Sequence, residues 1–240
     1  METKRRGDLV INGLGSSNGG QFRLVILNGS GTVNSDIECN ELECNGSGTL
    51  KGNVCANDTK VSGNARFHGD IEGEKFKVDG TVKVGGNLSV KSLNISGKAN
   101  VEGRVKAEVV NLHGILTVGK DCEAEIFKGK YRFTIGGLLN AEQIDVEVYG
   151  ECKATEIGGQ TISVKPHKGS FIGSLLKPFF KNQLETDLIE GDKIVLENTV
   201  AKVVRGRQVT IGPNCQIGVV EYTDEYLQDK NSIVGDIQKV

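Results

Sequence analysis

Apolar and polar residues alternate along most of this chain, and the alternation itself recurs. Phe76-Lys-Val78-Asp-Gly80-Thr-Val82-Lys-Val84-Gly-Gly86-Asn-Leu88 is followed one repeat later by Leu93-Asn-Ile95-Ser-Gly97-Lys-Ala99-Asn-Val101-Glu-Gly103-Arg-Val105. A period of two predicts short strands with one buried and one wet face. Gly29, Gly46, Gly63, Gly80, Gly97 and Gly114 form one column at a 17-residue spacing, and its next member is Tyr131. Ser35, Gly52, Gly69, Gly86, Gly103, Lys120 and Gly137 form a second, followed at once by Asp36, Asn53, Asp70, Asn87, Arg104 and Asp121. Seven units fit this register, from Val25 to about Gln143. The glycines mark corners, where small inward residues or positive φ are wanted, so each unit holds about three short strands separated by bends.

One such unit cannot bury its apolar face alone, whereas stacked units cover each other's open backbone edges. The expected fold is all-β: a parallel β-helix solenoid with 17-residue coils about 4.8 Å apart. Its inward columns are homogeneous, as stacking demands. Val33, Leu50, Phe67, Val84, Val101, Val118 and Ile135 form one; Ile37, Val54, Ile71, Leu88, Val105, Cys122 and Leu139 another. Cys39, Ala56, Gly73, Val90, Ala107, Ala124 and Ala141 form a third, made of small residues.

After Ala141 the spacing loosens, although Ile144 to Gly150 and Thr161 to Val164 still alternate. Pro166 ends this pattern. Strand-like sequence resumes at Ile189, and the 17-residue spacing returns as Ile194 to Ile211, Val200 to Ile217 to Val234, and Val203 to Val220 to Ile237. The expected organisation is a flexible segment over 1–20, a β-helix over 21–165, a linker or short helix over 166–188 and a second β-helical segment over 189–240. The pattern leaves open whether the second run extends the first.

Composition narrows the function. The chain has 240 residues, 29 Lys+Arg against 31 Asp+Glu and a formal charge of -2, which argues against binding nucleic acid by bulk electrostatics. Its 33 glycines are twice the usual share of about 7 %, yet too irregular for collagen. With no Trp and 5 % aromatics, base stacking has little material. No stretch approaches the roughly 20 apolar residues of a membrane span. The opening METKRRGDLVINGLG lacks the apolar core of a signal peptide, so the six cysteines are expected as reduced thiols in the cytosol.

No residue set calls for chemistry, and no catalytic, cofactor or metal site is expected. His68 and His113 fall at outward positions of different coils, and His167 lies elsewhere. Cys39, Cys44 and Cys122 occupy inward columns and read as small hydrophobes, without zinc spacing. Cys55 points outward and is the candidate reactive thiol. The Gly-Asp and Gly-Asn pairs recur once per unit rather than at every ninth position, so they read as corners rather than calcium ligands. Ile211-Gly-Pro-Asn-Cys-Gln-Ile217-Gly is like one step of a hexapeptide acyltransferase. Those coils are built from three six-residue steps, a longer period than this one, and use a catalytic His. That enzyme is the alternative function, beside a non-polymerising adaptor.

The 17-residue units with turns such as Asn45-Gly-Ser-Gly48 and Ser96-Gly-Lys-Ala99 resemble the bactofilins, polymer-forming cytoskeletal proteins of bacteria. The stretch from Ile189-Glu-Gly-Asp to Val220-Glu-Tyr222 is similar to the longer, two-part members from Gram-positive bacteria. The resemblance implies a right-handed coil and cytoplasmic filaments. They would form without nucleotide by end-to-end stacking, as scaffolds for cell shape, envelope organisation or motility. The implied partners are further copies of the chain and envelope or motility proteins, with weak contact at the inner face of the membrane not favoured.

Physics points the same way, because an uncapped end coil templates another strand. Leu9 and Ile11 at one end and Ile233 and Ile237 at the other are the expected contacts. Phe171, Ile172, Leu175, Leu176, Phe179 and Phe180 are the remaining candidates; they pack on the solenoid by default, and otherwise join subunits or dip into a membrane.

Overall fold

A computed structural model describes residues 6–167 and 182–240, and every regular element among them is a strand. The chain forms two compact units, one of residues 1–108 with 115–119 and one of residues 109–114 with 120–240.

The first unit is a parallel solenoid. Four-residue strands such as Ser47–Leu50 alternate with eight-residue strands such as Val54–Val61, and each pairs with its counterpart one turn away. Burial along Ile37–Cys44 shows two exposed residues in succession, Asn40 and Glu41, between Cys39 and Leu42. The pleat therefore flips in mid-strand, which makes a bend and gives three sides per turn. Val33, Leu50, Phe67, Val84, Val101 and Val118 pair in sequence, and none is more than 1 % exposed. Ile37, Val54, Ile71 and Leu88 do the same. Burial of these aliphatic stacks, at about 25 cal/mol per Å², drives the winding.

The corner glycines serve a different end from positive φ. A Cβ on Gly63, Gly80 or Gly97 would lie 2.0 Å from the carbonyl oxygen of the glycine one turn earlier. The column is glycine because successive turns touch backbone to backbone. Among the described residues, positive-φ glycines are Gly19, Gly20 and Gly150, outside that column.

Pairing starts earlier than the Gly/Ser/Asn-rich opening suggests. Asp8–Ile11 pairs with Leu24–Leu27 and Leu14–Ser17 pairs with Ser30–Val33, so the stretch expected as flexible is wound into the first turn. Its register falls one position short of the repeat, as in Asp8↔Leu24.

The second unit runs through Cys122–Val148, Glu151–Pro166, Gln183–Leu196, Thr199–Ile211, Gln216–Gln228 and Ile233–Lys239, each parallel to the next. Glu151 pairs with Gln183, so the later strands extend the earlier ones of this unit, and they resume at Gln183 rather than Ile189. The spacing here departs from the repeat of the first unit. Ile194 pairs with Val209 rather than Ile211, Ala201 rather than Val200 pairs with Ile217, and Val204 rather than Val203 with Val220. These turns close with one or two fewer corner residues, a change that periodicity alone does not register. Ile217↔Val234 and Val220↔Ile237 do keep the full repeat.

Candidate self-assembly edges

The first and last turns present strands that pair on one side. Among the described residues, Asp8–Ile11 pairs only with Leu24–Leu27, and Ile233–Lys239 only with Gln216–Tyr222. Each leaves a row of N–H and C=O groups open along its other edge. At the last turn the inward columns are cut open. Leu139, Ile157, Ile189, Val204 and Val220 stack with at most 1 % exposure, whereas Ile237, the next member, is 45 % exposed. Ile233 is 67 % exposed, and Leu227 and Val240 also face solvent. At the first turn Ile11 is buried and Leu9 half-buried, while Val10 and Leu14 are exposed. Leu9 and Ile11 thus lie on the first strand, and Ile233 and Ile237 on the last.

Charged and polar groups flank each edge. Arg6 binds Glu38 at 2.6 Å and Arg23 binds Asp8 at 2.5 Å near the first turn. Hydrogen bonds from Arg6 and then Gln21 hold the Glu38 carboxyl below its ordinary range. Near the last turn Tyr222 and Tyr226 stack at 5.4 Å, with the Lys239 ammonium 6.0 Å from the Tyr222 ring. Asp236 accepts from the Ile237 N–H at 2.9 Å. These groups ring the open strands without pairing their edges.

The thiols divide as the columns suggest. Cys39, Cys44, Cys122, Cys152 and Cys215 are buried, and Cys55 is exposed. Burial pushes the Cys39 and Cys122 thiols up to about 12 and those of Cys152 and Cys215 up to about 11. They pack as neutral hydrophobes. Cys55 lies between Glu38 and Glu72 on neighbouring turns. His68 and His113 are exposed on the outer wall, and His167 Nδ1 lies 3.0 Å from a Glu147 carboxylate oxygen.

Phe171, Ile172, Leu175, Leu176, Phe179 and Phe180 lie outside the described residues. Two features escaped the sequence reading. One is a groove of about 920 Å³ over Gly159, Gly191 and Gly206, rimmed by Glu142, Glu156, Asp192 and Arg207. The other is a corner of three rings, Tyr131, Tyr149 and His167. Neither is visible from a comparison at one fixed period, because the turns that build them step by other lengths. The misfit of Tyr131 in a glycine column was the available signal.

A family model described as bactofilin, polymer-forming cytoskeletal, matches residues 2–89. The uncharacterized protein YhbE of Bacillus subtilis (strain 168) is 58 % identical over 227 residues, covering 94 % of this chain and 95 % of the relative. The uncharacterized protein YhbF of the same organism is 41 % identical over 105 residues, 43 % of this chain and 42 % of the relative. No solved structure matches. With a matched N-terminal segment and a relative covered over nearly its full length, this parallel β-solenoid belongs to the bactofilin family of polymer-forming cytoskeletal proteins.

Proposed function

We propose that this protein is a cytoplasmic scaffold that self-assembles end to end into filaments without nucleotide, and that it does no chemistry. The filaments serve cell shape, envelope organisation or motility. The observation that carries the reading is the contrast between Val220, fully buried, and Ile237, 45 % exposed one turn on in the same column. A further turn supplied by another copy would close that column and pair the Ile233–Lys239 edge. Covering it is favourable through both apolar burial and backbone hydrogen bonding. The open Asp8–Ile11 strand is the corresponding surface on the first turn.

No helix among the described residues is long and apolar enough to cross a membrane. The open Ile233–Lys239 edge favours the chain itself as first partner, with envelope or motility proteins second. The test is negative-stain electron microscopy and sedimentation of the purified protein with no nucleotide added. Wild type should form filaments, and Ile237→Lys with Ile233→Lys should stop growth while the fold, followed by circular dichroism, is kept. Wild type that stays monomeric at every concentration reached would end the reading.

A further inference from the structure

We infer that the groove over Ala141, Gly159, Gly191 and Gly206 docks an extended, basic segment of a partner protein. The groove lies wholly within the second unit and has a volume of about 920 Å³. Its floor is bare backbone. A Cβ on Gly159 would lie 2.3 Å from the Ala141 carbonyl oxygen, and one on Gly191 would lie 2.3 Å from that of Gly159. On Gly206 it would lie 2.7 Å from the Gly191 carbonyl oxygen. Side chains cannot fill these positions without parting the turns, so the groove is a fixed feature of the wall.

Two features of its walls select the occupant. One is an apolar column on the outside of the solenoid. Leu138, Glu156, Leu188, Val203 and Val219 pair in sequence across the turns. The four apolar members are half-buried, and Leu138 and Leu188 line the groove. Solvation alone gives no reason for such an outward column, which offers apolar area for a partner to cover. Glu156 interrupts it with an exposed carboxylate between two leucines.

The other feature is charge. Glu125, Glu142, Glu156, Glu190 and Asp192 line the groove together with Arg205 and Arg207. Both arginines are already matched. Arg205 binds Glu190 at 3.0 Å and Glu221 at 2.5 Å, and Arg207 binds Asp224 at 3.0 Å. Glu125, Glu142, Glu156 and Asp192 have no ion-pair partner among the described residues. Unmatched carboxylates along one groove give it a negative potential, which its low-dielectric walls focus.

The walls also set the conformation of the occupant. Along a turn Leu188 comes before the floor residue Gly191 and Asp192 comes after it, so apolar and acidic groups stand on opposite sides of the floor. An extended segment lying along the solenoid axis points alternate side chains at opposite walls. Apolar ones then meet Leu138 and Leu188, and Lys or Arg ones meet Glu142 and Asp192. Turns lie about 4.8 Å apart and extended residues rise about 3.3 Å, so the five turns from Glu125 to Arg207 match about six residues. The chain's own alternating stretches, such as Val82-Lys-Val84, have their valines wound into the core, which favours a segment of another protein. The inference does not depend on end-to-end assembly.

The test is fluorescence anisotropy of the full chain with a dye-labelled hexapeptide that alternates Lys and Val. Wild type should bind it saturably. Glu142→Gln with Glu156→Gln and Asp192→Asn should weaken binding about tenfold, the combined effect of three exposed ion pairs. All three residues are exposed, and circular dichroism melts should be unchanged. Glu41→Gln with Glu72→Gln and Glu108→Gln removes as much charge from exposed positions of the first unit and should leave the affinity as it was. Equal weakening by the two sets would mean general charge attraction and would overturn the inference, as would a lack of saturation with wild type. Peptide binding that falls when an excess of the groove variant is added would make the occupant a second copy, which also overturns it. Electron microscopy of the groove variant keeps the two readings apart, since its filaments should match those of wild type whatever the peptide does.

Discussion

The carboxylate of Asp70 accepts a hydrogen bond from the backbone N–H of Asn87, one turn on, at 2.6 Å. It reaches that N–H across Gly86, where a Cβ would lie 2.2 Å from the same oxygen. The arrangement repeats as Asp36 to Asn53, Asn53 to Asp70, Asn87 to Arg104 and Asp121 to Leu138. The Gly-Asx pairs are thus a side-chain ladder that caps N–H groups at a corner where the strand pairing breaks. Glycine provides the room and the Asx side chain provides the acceptor. Asp70→Ala should cost about 1 kcal/mol, the worth of one such bond, read as a lower urea midpoint at unchanged slope. Asp70→Asn should keep most of it, because Asn53 and Asn87 fill the same role.

The backbone contact in the other glycine column is less forgiving. Gly80→Ala places a Cβ 2.0 Å from the Gly63 carbonyl oxygen, and two turns must part to admit it. The expected loss exceeds about 3 kcal/mol, as for other overpacked sites that cannot relax. Gly13→Ala is the control, since nothing lies within 4 Å of its added Cβ. Thermal melts of the two should differ widely; similar melts would mean that turns separate easily.

Much of this was legible in the sequence because stacking imposes one demand per column. Val84 and Phe67 must each suit the neighbours above and below, so sliding the sequence along itself by one repeat exposes the whole core of the first unit. Turn length is a weaker demand. The pairings Ile194↔Val209 and Leu139↔Ile157 show that a corner can lose two residues or gain one without disturbing inward side chains. A fixed period therefore misplaces Ile211 and Val200 while finding Ile217 and Val220. The reason for glycine was also hidden, since a close approach of backbones leaves the same trace in sequence as a positive φ.

The inward and outward assignment of neighbouring residues yields a sharp contrast. Val84 is fully buried between Phe67 and Val101, so Val84→Lys puts an unpaired ammonium into an aliphatic stack and should abolish folding. Lys83 points outward, where its Nζ lies 2.8 Å from Glu102. Lys83→Gln gives up that exposed ion pair and should leave the melting midpoint nearly where it was. Equal sensitivity at 83 and 84, measured by circular dichroism melts, would contradict the register.

Among the described residues three buried threonines, Thr59, Thr186 and Thr199, break the apolar rule, and the hydroxyls of the last two have partners. Thr59 is 3 % exposed, between Leu42 and Phe76, and its hydroxyl oxygen is buried with no hydrogen-bond partner. The small side chain makes room beside Phe76, whose ring meets Phe67 edge to face at 5.9 Å. Thr59→Val keeps the shape and removes the orphaned hydroxyl, so it should stabilise the fold by about 1 kcal/mol. A fall in the denaturation midpoint would show that the hydroxyl is satisfied in solution.

The buried thiols set the behaviour at alkaline pH. In an unfolded chain a cysteine ionises near pH 8.5. In the fold Cys122 is held up to about 12, chiefly by burial. Its folded pKa is raised, so its contribution is intact below about pH 8.5 and is lost as pH climbs toward the folded value. Across that window the unfolded state gives up a proton that the folded state keeps. Each such thiol then removes up to about 1.4 kcal/mol per pH unit. Cys39, Cys152 and Cys215 act in the same direction. Cys122→Val replaces the thiol with an apolar group of similar size, suited to a position with no exposure. Denaturant titrations at pH 8 and pH 10 should show the variant losing less stability than wild type between the two. Identical losses would mean that Cys122 ionises as readily in the fold as outside it, and so that solvent reaches the column.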